Sequence, residues 1–359
     1  MIQDNARLRW IGWRNRLLSS RRFQRFAARC PLTRRVATLK AREVFDLVAG
    51  FVYTQTLAAC LETGLIDALA RAPLDVAGAA ARTGLPPDSA LRLLRAATAL
   101  GLAERVGERW ALGAKGAALV GNRGIAEMVA HHRLLYADLA DPVALLRRGG
   151  GGAALAGFWH YAGEREDVGA YSRLMAASQP LVSRAVLDAY PFHRHRRLLD
   201  VGGGEGAFLA AVGAEVPHLA RGLFDLPAVA SRARERLGGD VTLHCGSFLT
   251  DPIPTGYDLV TLVRVLHDHD DGPAARLLRT IADALRPGAT LLIAEPMADE
   301  RGVEPMGDAY FGWYLLAMGS GRPRPVAEIR AMLRAAGFAR MRRIRTATPL
   351  TVSLIVAIK

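Results

Sequence analysis

Apolar residues recur at helical spacing along the first part of this chain and in short runs of strand length along the second. Phe45, Val48, Phe51, Val52 and Leu57 form one helical stripe, which Leu61, Leu65, Ile66 and Leu69 continue. Asp75, just after Pro73, predicts the N-cap of a helix over 76–82 that Gly84 stops. Pro86, Pro87 and Asp88 open another over 89–100, closed by Gly101. Two runs, 102–106 and 109–112, joined through Gly107 and Glu108, then read as a β-hairpin. Helix, turn, helix and hairpin make a winged helix, set in a mainly helical region over residues 41–140. Residues 141–190 begin loop-rich, with Gly149–Gly152 expected as a linker or mobile element, and end in a helix over 171–188. From 191 to 359 the pattern changes. Apolar runs at 197–201, 222–225, 241–244, 258–266 and 289–295 alternate with helical stretches, as in a doubly wound, mainly parallel sheet. Two more strands, near 341–346 and 352–358, have only a short turn between them. They must run antiparallel to each other, because a parallel pair needs a long crossover.

Composition adds an asymmetry. The chain has 359 residues, 51% hydrophobic and 23% charged, enough for one large and one small domain with real cores. Its net charge of +13 is concentrated at one end, where residues 1–40 hold eleven Arg or Lys and a single acid, Asp4. Leu8, Trp10, Trp13, Leu18, Phe23 and Phe26 interleave with those arginines. Such an arm suits a helix lying on an anionic membrane surface. A solvated tail whose aromatics dock on the body fits the same residues. A winged helix raises the question of DNA, yet the helix over 88–100 offers only Arg92 and Arg95 among alanines and leucines. A groove reader needs several polar side chains on its exposed face. Packing against a second copy, or walling a substrate site, is expected instead: a homodimer without nucleic acid. No apolar run approaches the roughly 18–20 residues that span a bilayer, and the first residues lack the apolar core of a secretion signal. Cys30, Cys60 and Cys245 form no zinc or CxxC spacing, so a reduced, cytoplasmic protein is expected, touching a membrane only peripherally.

The chemistry-bearing residues sit at strand ends. Gly202, Gly203, Gly204, Glu205 and Gly206 lie between the 197–201 strand and a helix opening at Ala207. Glycines there let a nucleotide lie against the backbone at the strand's carboxyl end. Alone, the loop fits a dinucleotide too: Gly202, Gly204 and Ala207 match that fingerprint, and Asp225 follows at about the required distance. A nicotinamide-dependent oxidoreductase therefore stays open on the loop alone. Three features favour S-adenosylmethionine: Asp200, a carboxylate at the amino-acid end of that cofactor; the helical region before the loop; and the terminal antiparallel strands. By those strands a class I methyltransferase Rossmann-like sheet differs from a dinucleotide-binding one. Asp225 would hold the ribose hydroxyls, Ser247 and Phe248 would flank the adenine, and Arg264 would add a further cofactor contact. The cluster from Arg264 to Asp271 ends the fourth strand, where His267 suits general-base work beside the crevice. Asp268, Asp270 and Asp271 can raise the pKa of a neighbouring imidazole, and Asp270 or Asp271 also suits the cap of the next helix. Neighbours in sequence rarely converge on one ion, so no metal is expected. Glu295, ending the fifth strand, fits a partner that orients the histidine, a helix cap or a solvated acid equally well. Tyr171, Met175, Phe311, Trp313, Tyr314 and Met318 suit either a hydrophobic acceptor tunnel or ordinary core.

The segments 199–204, 224–227, 246–248, 251–254, 264–268 and 285–288 resemble, in order and spacing, the plant-type O-methyltransferase family. The resemblance covers about residues 40–359. Segments 47–52, 131–143, 310–318 and 320–324 narrow it to the bacterial branch that methylates the 1-hydroxyl of acyclic carotenoids. It implies an N-terminal dimerisation domain, S-adenosylmethionine as methyl donor with S-adenosylhomocysteine as product, and in-line transfer to an acceptor oxygen. His267 falls on the family's general base and Glu295 on one of two acids that steer it. The second acid is missing, because Pro323 stands there, and Ser247 replaces an adenine-contacting aspartate. Phenolic or polyketide acceptors, and a catalytically silent DNA-binding regulator on the same fold, are the competing expectations.

Overall fold

The computed structural model describes residues 2–151, 154–158, 168–299, 305–347 and 352–359. Side chains of the helix Val168–Ala189 are described from Gln179 onward, so those of Tyr171 and Met175 lie outside the described residues. The chain divides into two compact units, Met1–Gly121 and Asn122–Lys359.

In the first unit α1 (Ile2–Ser19), α2 (Arg21–Arg29) and α3 (Arg34–Glu62) lead into α4 (Leu65–Arg71), α5 (Val76–Thr83) and α6 (Pro87–Ala99). The wing follows as β1 (Ala103–Val106) and β2 (Arg109–Leu112), then a short α7 (Ala114–Ala117). α3 runs straight through the boundary expected at residue 40, since no proline interrupts it. It also corrects the expectation about membrane-spanning length. An 18-residue stretch of α3 has a mean hydropathy of 1.5, and among the described residues it is the one helix long and apolar enough to cross a bilayer. The sequence hides this because Asp46 and Gln55 interrupt the apolar run. Leu39, Val44, Leu47, Val48 and Phe51 on α3 are exposed, whereas Cys60 near its end is fully buried with Leu65, Ile66, Leu69, Leu94 and Trp110. Asp75 caps α5 as its position suggested, its carboxylate accepting from the Gly78 N–H at 2.7 Å, a contact worth about 1 kcal/mol. Leu74 exchanges backbone hydrogen bonds of 2.9 and 2.7 Å with Trp110, pinning the wing to the loop before α5.

The second unit opens with α8 (Arg123–Asp138), α9 (Pro142–Arg147), α10 (Ala154–Phe158) and α11 (Val168–Ala189). Of the Gly149–Gly152 run expected as a linker or mobile element, Gly152 lies outside the described residues, and Gly150 and Gly151 are packed. Gly150 has φ +95, and a Cβ on it would come within 2.3 Å of the Leu316 carbonyl oxygen; Gly151 N–H donates to that same oxygen at 2.9 Å. These glycines permit close packing rather than a free joint.

The sheet strands are β3 (Arg197–Val201), β4 (Ala220–Asp225), β5 (Val241–Cys245), β6 (Leu259–Val263), β7 (Thr290–Glu295), β8 (Arg340–Ile344) and β9 (Ser353–Ile358). Between them lie α12 (Ala207–Glu215), α13 (Pro227–Leu237), α14 (Asp271–Ala284), α15 (Gly312–Met318) and α16 (Val326–Ala335). The order is β5-β4-β3-β6-β7-β9-β8, and β9 alone runs against the others. The antiparallel ending read from the sequence is thus one reversed strand inserted between β7 and β8. Alternate strand residues serve opposite faces: Leu199, Val201, Val260 and Leu262 pack with α14 and α16, whereas Leu198, Leu259 and Val263 pack with α11 and α12. All five residues of β6 are buried, as a strand covered on both faces requires. Successive connections leave β3 in opposite directions, to β4 and later to β6. That reversal opens a crevice at the strands' carboxyl ends.

Candidate active site

Three of the loop glycines after β3 take left-handed backbone, Gly202 at φ +69, Gly204 at +60 and Gly206 at +77, so the chain doubles back tightly at the crevice. A Cβ on Gly203 would fall 2.2 Å from Asp200 Oδ2, and one on Gly202 would press Val265 and Phe248. Asp200 is 1% exposed; its Oδ1 accepts from the Thr261 hydroxyl at 2.6 Å, while Oδ2 has no hydrogen-bond partner. Burial pushes this carboxyl up to about 7, against the Thr261 bond. Asp225, closing β4, accepts from Gly204 N–H at 2.8 Å and Leu226 N–H at 2.7 Å. Burial also raises its pKa, those two bonds opposing. Ser247 and Phe248 follow β5. Ser247 holds a turn, its N–H donating to Asp251 at 2.7 Å, and the Phe248 ring meets His269 edge-on at 5.3 Å.

The strand expected to run to Leu266 stops at Val263. Arg264 then adopts φ +57, rare for a non-glycine residue, and a single 3-10 turn, Leu266–Asp268, carries the histidine. Glu295, 2% exposed, is folded into that turn from β7. Its Oε1 accepts from the Val265 and Leu266 N–H groups at 3.0 and 2.8 Å, and its Oε2 accepts from His267 Nδ1–H. Of its three possible roles, the structure puts Glu295 beside the histidine. The other ring nitrogen, Nε2, lies 3.2 Å from Asp268 Oδ1. Burial disfavours charge on His267, but the flanking carboxylates of Glu295 and Asp268 outweigh it and raise the pKa above 6.5. Asp268, adjacent in sequence to the histidine, thus puts a second carboxylate beside the ring, while Pro323 stands where the resemblance implied another acid. Asp270 takes the N-cap position of α14 without a side-chain cap bond, its Oδ1 accepting from Gly321 N–H instead, and Asp271 pairs with Arg322 and Arg324.

Tyr310, Phe311 and Tyr314 form one connected set of rings, with Phe311 5.1 Å from Tyr310 and 6.4 Å from Tyr314 between centroids. Phe311 faces His267 edge-on with ring centroids 6.0 Å apart, and the Arg264 guanidinium lies 5.9 Å from the Phe311 ring. Trp313, Tyr314 and Met318 also pack with Leu135, Leu145 and Leu155. Two pairs escaped the sequence reading: His131 with Tyr314 and His132 with Tyr310, each 2.7 Å apart between ring nitrogen and hydroxyl. Burial takes His131 down to about 4 and Tyr310 up to about 12, so both stay neutral. Nothing local signals partners more than 170 residues apart. Among the described residues no group of His, Cys, Asp or Glu could hold a metal.

A sheet of this order, with a glycine turn after β3 and an acid closing β4, defines a class I S-adenosylmethionine-dependent methyltransferase. The model of the O-methyltransferase domain matches residues 136–339, and that of the O-methyltransferase dimerisation domain matches residues 45–122. Demethylspheroidene O-methyltransferase of Cereibacter sphaeroides is 41% identical over 96% of this chain and 94% of its own. The 3-hydroxy-5-methyl-1-naphthoate 3-O-methyltransferase of Streptomyces sahachiroi is 33% identical over 88% and 94%. Human N-acetylserotonin methyltransferase, solved with S-adenosylmethionine, superposes with a TM-score of 0.73 at 25% identity, over 89% of this chain and 97% of that one. The chain belongs to the O-methyltransferase family and carries its dimerisation domain. The crevice fits the cofactor of that family: an orphaned, buried carboxylate oxygen on Asp200, open space above Gly204, and a second acid at the end of β4.

Proposed function

We propose that this enzyme methylates the tertiary 1-hydroxyl of an acyclic carotenoid, with His267 as general base. The 41% identity to demethylspheroidene O-methyltransferase along nearly the whole chain carries the choice of acceptor. Asp200, the glycine turn, Asp225, Phe248 and Arg264 hold S-adenosylmethionine, with Ser247 at the rim. Bound there, the cofactor would supply an electrophilic methyl group and keep the electron pair of the broken carbon–sulfur bond as the leaving sulfide. A tertiary alcohol ionises far too weakly to lose its proton first, so His267 takes that proton at Nε2 as the new C–O bond forms. Glu295 fixes the tautomer by occupying Nδ1, and Asp268 and Glu295 pair the imidazolium that results. Phe311 walls the acceptor beside the base. Orientation of acceptor and methyl supplies much of the acceleration, for which about 7–11 kcal/mol is available in principle. Methyl transfer from labelled cofactor to demethylspheroidene, set against 3-hydroxy-5-methyl-1-naphthoate, tests the choice. Preference for the naphthoate would place the enzyme among the phenol methylators.

The N-terminal arm brings this enzyme to a membrane-dissolved substrate. Among the described side chains of α1 and α2 only Ala27 is buried, and Trp10, Trp13, Leu18 and Phe26 are exposed among the arginines, Arg14 lying 5.2 Å over the Trp10 ring. Arginine beside exposed tryptophan and leucine favours the interface of an anionic bilayer. The rest of the enzyme works from a reduced cytoplasm, its three cysteines unpaired. Full-length enzyme should pellet with phosphatidylglycerol vesicles at low salt, and enzyme lacking residues 1–29 should not; equal pelleting of the two would remove the arm from this role.

A further inference from the structure

Four consecutive carbonyl groups around the histidine, from Leu266 to His269, all meet one distant segment, Ser320–Arg324. Arg324 Nη1 donates to Leu266 O at 3.0 Å and Arg324 Nη2 to His269 O at 2.7 Å. Between them, Arg322 N–H donates to His267 O at 2.9 Å and the Ser320 hydroxyl to Asp268 O at 3.0 Å. Gly321 sits so close that a Cβ would lie 2.1 Å from the His267 carbonyl oxygen, at φ +80. Arg324 is 2% exposed, and its charge is met at 2.9 Å by Oδ1 of Asp271, the first residue of the helix that follows the turn. Arg322 ties the same Asp271 to Glu328. A buried arginine spanning two carbonyls three residues apart works as a rigid fork, a geometry lysine cannot reproduce.

Turn geometry alone does not demand this. A single 3-10 turn leaves its carbonyls free to take water at the surface, and here each of the four accepts from the 320–324 segment instead. Glu295 grips the same turn from the opposite side through the Val265 and Leu266 N–H groups. Donors are therefore clamped by β7 and acceptors by the 320–324 strap, leaving the imidazole no freedom along the crevice. We infer that Arg324 is a positioning residue for the reaction, the anchor of a strap that holds the His267 turn in register with the acceptor. This rests on His267 being the base.

The test is a double-mutant cycle of Arg324→Lys with His267→Ala, in the full-length enzyme with demethylspheroidene as acceptor. Arg324→Lys should lower kcat about 10- to 100-fold, the scale on which about 1 Å of misplacement acts. Affinity for S-adenosylmethionine by calorimetry should change by less than about threefold, and the acid limb of kcat/KM should move. In the His267→Ala background the same change should cost less than about threefold, since a residue acting through the histidine has nothing left to position. Equal losses in both backgrounds would mark a general structural role and overturn the inference, as would a wild-type kcat for Arg324→Lys. If His267→Ala alone keeps full turnover, the base assignment fails first, a distinguishable result that takes the inference with it. Should Arg324→Lys not fold, Ser320→Ala removes one of the four contacts: a kcat about 3-fold lower, absent in the His267→Ala background, supports the strap, and an unchanged kcat overturns it.

Discussion

Replacing Glu295 by glutamine isolates what the carboxylate does for the histidine. The side chains are nearly isosteric, and an amide oxygen can still accept from the Val265 and Leu266 N–H groups that Glu295 Oε1 now holds at 3.0 and 2.8 Å. The other arm must then present an NH2 group to His267 Nδ1. Two donors cannot share that contact, so the imidazole either breaks it or moves its proton to Nε2, the atom required as base. Loss of a charge-assisted hydrogen bond costs about 1.5–3 kcal/mol. The tautomeric consequence is larger. General-base assistance is worth about 10²–10⁴-fold, and an amide placed behind the histidine of a serine protease costs about 10⁴ for this reason. Glu295→Gln should therefore lower kcat by about 10²–10⁴ while leaving cofactor affinity within about threefold. Residual activity should keep its acid limb, displaced to lower pH, because one of the two carboxylates that raise the histidine has lost its charge. Single-turnover methyl transfer across pH 5–9, with calorimetry of the cofactor on the same sample, measures both. A kcat within about threefold of wild type would refute the tautomer argument, whatever happens to binding.

The wild-type profile itself follows from the raised His267: the neutral imidazole is needed, so kcat/KM should climb with pH through a midpoint above 6.5, and a midpoint below 6.5 would contradict the flanking carboxylates. Asp200→Asn should weaken S-adenosylmethionine at least tenfold yet stabilise the free protein. Its carboxyl, raised from 3.8 to about 7, binds a proton more tightly folded than unfolded, so it progressively costs stability as pH rises from 3.8 to 7, on the order of 4 kcal/mol beyond that. Melting should show the variant more stable at pH 8 and equal to wild type below pH 4; equal melting at pH 8 would show that the buried oxygen is solvated after all. Gly150→Ala places a methyl 2.3 Å from the Leu316 carbonyl at φ +95, and should destabilise by about 1–3 kcal/mol, read from urea midpoints at constant slope. A neutral result there would restore the glycine run as a flexible joint.

Local pattern exposed what local physics decides. Asp75 follows Pro73 and opens an amphipathic stretch, so its cap contact was readable from four residues. Gly202, Gly204 and Gly206 sit between a buried strand and a helix, and only left-handed backbone joins the two that tightly. Strand ends were legible for the same reason, and with them Asp200, Asp225, His267 and Glu295, because ligand groups in such sheets gather where strands stop. The turn at Arg264 was not. Its sequence, apolar from Leu259 to Leu266 apart from Thr261 and that arginine, continues the strand pattern, and what favours bending it is distant: the closure of Glu295 on the Val265 and Leu266 N–H groups and of the 320–324 segment on the carbonyls that follow. Asp268 was visible as an acid near the histidine, yet its place at Nε2 depends on that same bend. The aromatic stripe from Phe311 to Met318 shows the limit from the other side, since one helical period suits both uses: Phe311 lies against His267 and Tyr314 alike, and Trp313, Tyr314 and Met318 pack with Leu135, Leu145 and Leu155. Which face meets the base is set by partners on α8, α9 and α10, far away in sequence. The strap is the extreme case. Arg324 and the carbonyls it grips are more than 50 residues apart, and backbone acceptors carry no side-chain signature, so no residue pattern near His267 could have announced what holds it.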